Sequence, residues 1–372
     1  MLCNPSPKNL RMPINIPSLR LLNQHLLTPT LKDPVEVLKS LVAIQAQDYY
    51  GAKWALSQRT VACTDTVVED AFSAGRILRL HVMRPTWHFV TADDIRWLVR
   101  LTALRVNTVS SHYYKKAELD TATFKRTNKA LIKALEGGRQ LTRGELREII
   151  KRAGIEPGDS MRFGYIMHRS ELDGVVCSGA RRGKQFTYAL LDERAPRSRE
   201  LENDEALGEL TERYFSTRGP ATIQDYVWWS GLTTAQAKRG LEIAGKYLRT
   251  EVIDGKSFTL SAGRAITPST RVIRAYLLPA YDEYFISYKD RTAAIHRDFD
   301  QKTMATKLVF DAPLVIDGQA VGGWNRVIGQ KLVTVHVRPF IELTKSARTA
   351  VTRAAESYAS FLERDLRVEW VL

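Results

Sequence analysis

The chain has 372 residues, 44% hydrophobic and 26% charged, an ordinary globular composition that excludes large-scale disorder and leaves room for roughly two to four compact units. Lys and Arg number 55 against 41 Asp and Glu, a net charge of +14; this points to a polyanionic partner, nucleic acid first, although the charge alone also fits an anionic membrane. Cys3, Cys63 and Cys177 form no C-x-x-C pair and no stretch reaches transmembrane length, which argues against a disulfide framework, a zinc knuckle or a membrane span and for a reducing cytoplasm.

In chain order, the start has no continuous apolar leader, and Met12 offers an alternative initiator. Apolar residues at helical spacing follow the Asp-Pro opening of "DPVEVLKSLVAIQA", and "TDTVVEDAFSAGRI" predicts a second helix with Thr64 as N-cap. "ILRLHVMRPTWHFVT" predicts two strands turning at Arg84-Pro85, before a helix over "ADDIRWLVRLTALRV". Helices followed by a hairpin describe a winged helix.

The pattern recurs. Helices over "TATFKRTNKALIKALEGG", "LTRGELREIIKRAG" and "SMRFGYIMHRSELDG" precede two strands in "VVCSGARRGKQFTYALL", whose basic loop suits either phosphate contact or simple solvation. After the charged connector "DERAPRSRELENDE", the helix "EALGELTERYFSTRG" leads to "ATIQDYVWWSG" and "TTAQAKRGLEIAG", joined through Gly231 like a helix-turn-helix, with a short strand pair after them. The last hundred residues, rich in β-branched and aromatic residues with a turn at Asp317-Gly318, predict a small structural sheet covered by the closing helix "KSARTAVTRAAESYASFLERDL". The expected fold is therefore α+β: three tandem winged-helix units forming a basic channel (1–118, 119–192 and 196–264) and a C-terminal α/β domain (265–372).

P-loop, Rossmann, zincin and nucleophile-elbow motifs are missing, and the seven histidines lack ligand spacing. No metal and no cofactor are expected. The adjacent Asp282 and Glu283 are expected to pair with Lys289 and Arg291. Gln45 and Gln47, in "AIQAQD", carry amides that can orient a water or polar ligand but move no proton; the local alternative is that they cap the helix end. In a continuous helix they would diverge, so joint action requires the helix to end at or before Gln45. Candidate phosphate contacts are Arg143, Lys151, Arg181, Arg182, Lys184, Lys238 and Arg239.

"AIQAQD", "MRPTWHFV", "RGPATIQDYVWWSGL", "LLPAYDEYFISYKDR" and "VIDGQAVGGWNRV" together resemble the AlkZ-like bacterial DNA glycosylases (AlkZ/YcaQ type) over most of the chain. The resemblance implies that Gln45 and Gln47 are catalytic, in the Gln-x-Gln branch; the Gln-x-Asp branch needs an acid at 47, and this chain has its acid at 48. It also implies that a hairpin with Thr86 and His88, beside Arg84, approaches the lesion, while strand alternation turns Trp87 toward the core; for His88 the alternative is a bond within its own hairpin. The implied activity is monofunctional hydrolysis of the N-glycosidic bond of alkylated, cationic purines, bulky or crosslinked adducts included, through a water held by the two amides. The expected partner is double-stranded DNA bound by a cytoplasmic, nucleoid-associated monomer. The competing readings are a winged-helix transcription regulator and a non-catalytic DNA-binding protein.

Overall fold

The computed structural model describes residues 14–263, 272–296, 298–300 and 311–371. Cys3, Met12, the boundary expected at 264/265 and the first residues of the strand expected from Lys307 lie outside these. The chain is a mixed α+β protein. None of its described helices is long and apolar enough to cross a membrane.

The N-terminal part contains α1 (Ile16–Asn23), α2 (Pro34–Leu41), β1 (Ala43–Gln45), α3 (Tyr49–Ser57), α4 (Asp65–Ser73), β2 (Ile77–Val82), β3 (Arg84–Thr91) and α5 (Ile95–Lys116). The Asp33 carboxylate accepts the Val35 N–H at 2.9 Å and Pro34 opens α2, while Thr64 caps α4 as its sequence predicts. The strands form an antiparallel sheet in the order β1-β3-β2, with Gln45 opposite His88 and His88 opposite Leu80. The hairpin turns at Met83, which has φ +62°, so Arg84 and Pro85 begin β3 instead of forming the turn. Alternation along the sheet separates two cores: Ile44, Ala46 and Phe89 pack among α2, α3 and α4, and Ala43, Val90, Leu78 and Leu80 pack among α5 and helices from further along the chain.

The next stretch comprises α6 (Thr121–Leu135), β4 (Leu141–Thr142), α7 (Arg143–Arg152), α8 (Ser160–Leu172), β5 (Val176–Ser178), β6 (Thr187–Leu190) and α9 (Leu191–Arg194). A capping box between Thr142 and Glu145 starts α7, and the strands pair as β4-β6-β5. Then come α10 (Asn203–Arg218), α11 (Ile223–Ser230), α12 (Thr234–Ala244) and the hairpin of β7 (Leu248–Ile253) and β8 (Lys256–Ser261). Gly231 ends α11 in the left-handed region, and a Cβ there would collide with the Met83 carbonyl oxygen, so the α11–α12 corner sits against the β2–β3 tip.

The C-terminal part holds β9 (Ala275–Leu277), α13 (Glu283–Ile286), β10 (Pro313–Ile316), β11 (Gln319–Ile328), β12 (Leu332–Pro339), α14 (Lys345–Leu362) and β13 (Asp365–Trp370), with sheet order β13-β12-β11-β10-β9. Asp317 and Gly318 both have positive φ in the two-residue β10–β11 turn, as that hairpin geometry requires. Val351, Ala355 and Tyr358 lay α14 on the sheet over Val333, Val335 and Val337. Trp54 of α3 joins this core and donates its indole N–H to the Leu277 carbonyl at 2.7 Å, which docks the sheet on the N-terminal part.

Candidate active site

α2 stops at Leu41, well before the glutamines, because Val42 adopts φ +68° and ψ −56°. A β-branched residue in that region is strained, and such strain persists only where neighbours over-determine it. Arg218, at the end of α10, does this: its guanidinium donates to the carbonyls of Leu41 at 2.9 Å and Ala43 at 3.0 Å, one on each side of Val42. The chain then runs extended through β1, and Ala46 prolongs the ladder by donating its N–H to the Trp87 carbonyl at 2.7 Å. Ile44 and Ala46 fill the core, so Gln45 between them falls on the other side, while Gln47 sits at a bend just beyond the strand.

Gln45 is 8% exposed and Gln47 is exposed. The Gln45 N–H donates to Glu283 Oε1 at 2.9 Å, and its side-chain carbonyl accepts from Arg84 Nη2 at 3.0 Å. Arginine only donates, so this bond fixes which end of the amide faces it and leaves the Gln45 NH2 group for a ligand. Asp48, the acid one place beyond Gln47, turns into α3: its carboxylate accepts the Gly51 N–H at 3.0 Å.

Glu283 and Arg218 form a completely buried pair at 2.8 Å. Glu283 Oε2 also accepts from the Trp229 indole at 2.8 Å and the Ser287 hydroxyl at 2.7 Å. Burial alone would raise its pKa, but the Arg218 charge and these hydrogen bonds outweigh burial and hold it at about 2. The expectation for the two adjacent acids is corrected here. Asp282 caps α13 and takes a two-pronged bond from the buried Arg59 at 2.7 and 2.9 Å, and Glu283 pairs with Arg218; neither pairs with Lys289 or Arg291. The cause is a short helix that opens at these two residues and sends their carboxylates to different partners. The C-terminal part is thereby more than a structural end piece.

On β3, Arg84, Thr86 and His88 share the face of Gln45. Burial lowers the Arg84 pKa to about 10, with the Glu283 charge acting in the opposite direction, so the guanidinium stays protonated at neutral pH. His88 is fully buried; burial, then the neighbouring Arg84 charge, push its pKa down to about 3. Its ring bonds the Thr86 carbonyl through Nδ1 at 2.8 Å, the bond within its own hairpin. Among the described residues Arg84 Nε, Thr86 Oγ1 and His88 Nε2 are buried with no hydrogen-bond partner. Trp87 is only partly buried and lies under the Arg79 guanidinium, 4.5 Å from its ring centroid, instead of in the core. Arg79 in turn donates to the Ala46 carbonyl at 3.0 Å, between the two glutamines.

The basic candidates fall into two groups. Arg181 meets Glu69 at 3.3 Å, Arg182 meets Glu145 at 2.9 Å, and Arg239 meets Asp204 at 2.6 Å and Glu242 at 3.3 Å, so each already has an acidic partner. Lys151, Lys184 and Lys238 are exposed and have no acidic partner among the described residues, and Arg143 donates to the Ser160 carbonyl at 2.8 Å. Arg218, Trp229 and Arg79 escape sequence reasoning, as does the place of Glu283 beside Gln45. For Glu283 the only local signal is an acid among aromatics, and for Arg218 there is none.

The family profile for DNA glycosylase AlkZ-like proteins matches residues 38–361. A curated relative, the interstrand DNA cross-link repair glycosylase of Streptomyces sahachiroi, is 22% identical over 355 residues, covering 91% of this chain and 94% of that protein. The solved structure of the Streptomyces sahachiroi DNA glycosylase AlkZ superposes with a TM-score of 0.75 at 19% identity, covering 95% of this chain and 98% of that one. With a family match spanning most of its length, the chain belongs to the AlkZ-like DNA glycosylases and is an enzyme of that class.

Proposed function

We propose that this glycosylase hydrolyses the N-glycosidic bond of cationic, alkylated purines in duplex DNA, interstrand crosslinks among them, with a water held between Gln45 and Gln47. The observation that carries this reading is the break at Val42, which ends the helix before both glutamines and lets the chain run extended to Gln45, where Arg84 fixes the amide. The roles divide accordingly. Gln45 presents its NH2 and donates to the water oxygen; Gln47, whose amide has no partner among the described residues, accepts a hydrogen bond from the water through its carbonyl. The three unpartnered atoms on β3 supply donor and acceptor groups of the kind an ordered water requires.

Alkylation at N7 or N3 already makes the base a good leaving group, so positioning replaces a strong base. A base that departs as an anion gains nothing from such a site, and uracil is accordingly a poor substrate. With no lysine nucleophile in the scheme, the product is an abasic site without strand cleavage, and borohydride traps no adduct. Three winged-helix units lining a basic channel, divided near 118, 192 and 264, complete the proposal; the helix and hairpin groupings β1-β3-β2, β4-β6-β5 and β7-β8 support it, as does the net charge of +14.

The test is single-turnover release of N7-methylguanine after equal DNA binding has been verified. Gln45→Ala and Gln47→Ala are each expected to lower the rate about 100-fold. Gln45→Glu, which keeps the Arg84 contact but loses the donor, is expected to match Gln45→Ala, whereas Gln47→Glu keeps an acceptor and retains most activity. Release by both alanine variants at the wild-type rate would remove the glutamines from the mechanism.

A further inference from the structure

The face of the β2–β3 hairpin turned away from Gln45 forms one wall of a cavity of about 950 Å3, completed by α5, α7, α8 and the β5–β6 hairpin. Aromatic surface dominates it. The Arg79 guanidinium lies over the rings of Trp87 at 4.5 Å and Phe186 at 4.9 Å, and Tyr113 and Tyr165 stack at 5.9 Å on the helical side. Two histidines are recessed among these rings and meet edge to face at 4.5 Å.

His81 is bound through Nδ1 by the buried Glu171 carboxylate, whose same oxygen accepts the His81 N–H at 2.8 Å; Nε2 is then the ring atom left for a ligand. His168 is 94% buried by its 6% exposure, bonds the Tyr114 hydroxyl through Nδ1 at 2.8 Å, and has a buried Nε2 with no partner among the described residues. Burial keeps His168 neutral, with its pKa pushed down to about 3, so it suits the edge of a heterocycle better than an anion. The cavity border differs in character: Lys184 and Arg143 bring positive charge, and the N-terminal residues of α7 and α8, Thr142 to Gly144 with Ser160 and Met161, line the same space. Recessed rings with edge-bonding nitrogens, next to cations and helix N-termini, match a planar base attached to a phosphate.

We propose that this cavity binds one unstacked nucleotide, its base against Trp87 and Tyr165 with its edge on His81 and His168, and its phosphate at Arg143 and Lys184. The sheet separates this site from Gln45, so the nucleotide held here is not the one whose bond is cut. In duplex DNA it is a neighbour or an opposite-strand nucleotide drawn out beside the lesion; the same chemistry would accept a free nucleotide. The site stands independently of the assignment of the water to the glutamines.

Gly164 gives access to a test, because a Cβ there would meet only Arg143 Nη2 at 3.7 Å. Gly164→Trp places a large ring in the cavity, and Gly164→Ala is the control. The probes are a duplex with 2-aminopurine opposite a non-hydrolysable abasic analogue, and free 2-aminopurine deoxyribonucleoside monophosphate. Wild type and Gly164→Ala are expected to change the duplex probe's emission saturably; Gly164→Trp abolishes that change and weakens binding to this duplex by about tenfold. Saturation by the free nucleotide, abolished by Gly164→Trp, supports the site with free nucleotide as an additional source. An unchanged response in Gly164→Trp, or no response to either probe, overturns the proposal. Met161 is 65% exposed at the cavity edge, and Met161→Trp repeats the test from there if Gly164→Trp melts early.

Discussion

The amide of Gln45 is oriented by one guanidinium, and that makes Arg84 a positioning residue with a measurable signature. Arg84→Ala frees the amide to rotate and is expected to slow base release about tenfold in single turnover while DNA affinity changes far less. Arg84→Lys can still donate to the Gln45 carbonyl and is expected to recover part of the loss; equal rates for Ala and Lys variants would mean that the contact does not orient the amide. The buried titratable groups set a pH profile for stability. His88 and His168 bind protons in the unfolded chain near pH 6.5 but in the folded chain only near 3. The unfolded state therefore takes up more protons between these values, and stability falls as pH drops from about 6.5 toward 3. Glu283, depressed to about 2, contributes stability that is complete above the ordinary carboxylate value near 4.3 and is lost below it as the carboxylate protonates. Urea unfolding midpoints measured from pH 7 to pH 3 are expected to decline in two overlapping stages, with His88→Gln flattening the upper one.

Short elements carry the strain and the contacts that aim the site. Gly231→Ala combines a left-handed φ with a collision against a backbone carbonyl, and is expected to cost about 1–3 kcal/mol in chemical unfolding. Because that corner abuts the β2–β3 tip, release should slow as well; a variant of full stability and full activity would show that the hairpin tolerates displacement. The sequence is most informative where a side chain acts on its own neighbours: the Asp33-Pro34 start, the Thr64 cap, the Thr142–Glu145 box and the Asp317-Gly318 turn are all local signals, and each appears in the fold. The requirement that the helix end before Gln45 is met, but its cause is not local, since the carbonyls of Leu41 and Ala43 on either side of Val42 are held by an arginine 177 and 175 residues away. β13 pairs in parallel with β12, a long-range contact that the pattern around Arg367 does not announce. Trp87 shows the limit of alternation: the period gives the face, and only packing reveals that a cavity lies beyond it.

Across the molecule, the basic candidates sit in two environments. Arg181, Arg182 and Arg239 are matched by acids, and of these Arg181 also lies against Tyr49 and Tyr50; among the described residues Lys151, Lys184 and Lys238 are not so matched. The lysine variants are each expected to reduce the slope of log K against log salt by about 1, whereas Arg181→Ala lowers stability and leaves the slope nearly unchanged. Identical slopes for both classes would erase the distinction. Glu283→Gln leaves Arg218 buried without its counter-charge, a loss of about 3–5 kcal/mol, and is expected to abolish release along with stability.

The Arg218–Glu283 clamp also sets an order of events during synthesis. Gln45 leaves the ribosome early, yet its backbone N–H finds its acceptor 238 positions later in the chain, and contacts so distant in sequence form late. Until then the Arg218 guanidinium that grips the carbonyls on either side of Val42 lacks its counter-charge. Gln45 thus gains its full set of partners only when the last third of the polypeptide has joined the fold, so a chain cut short of Glu283 leaves this backbone group without its acceptor.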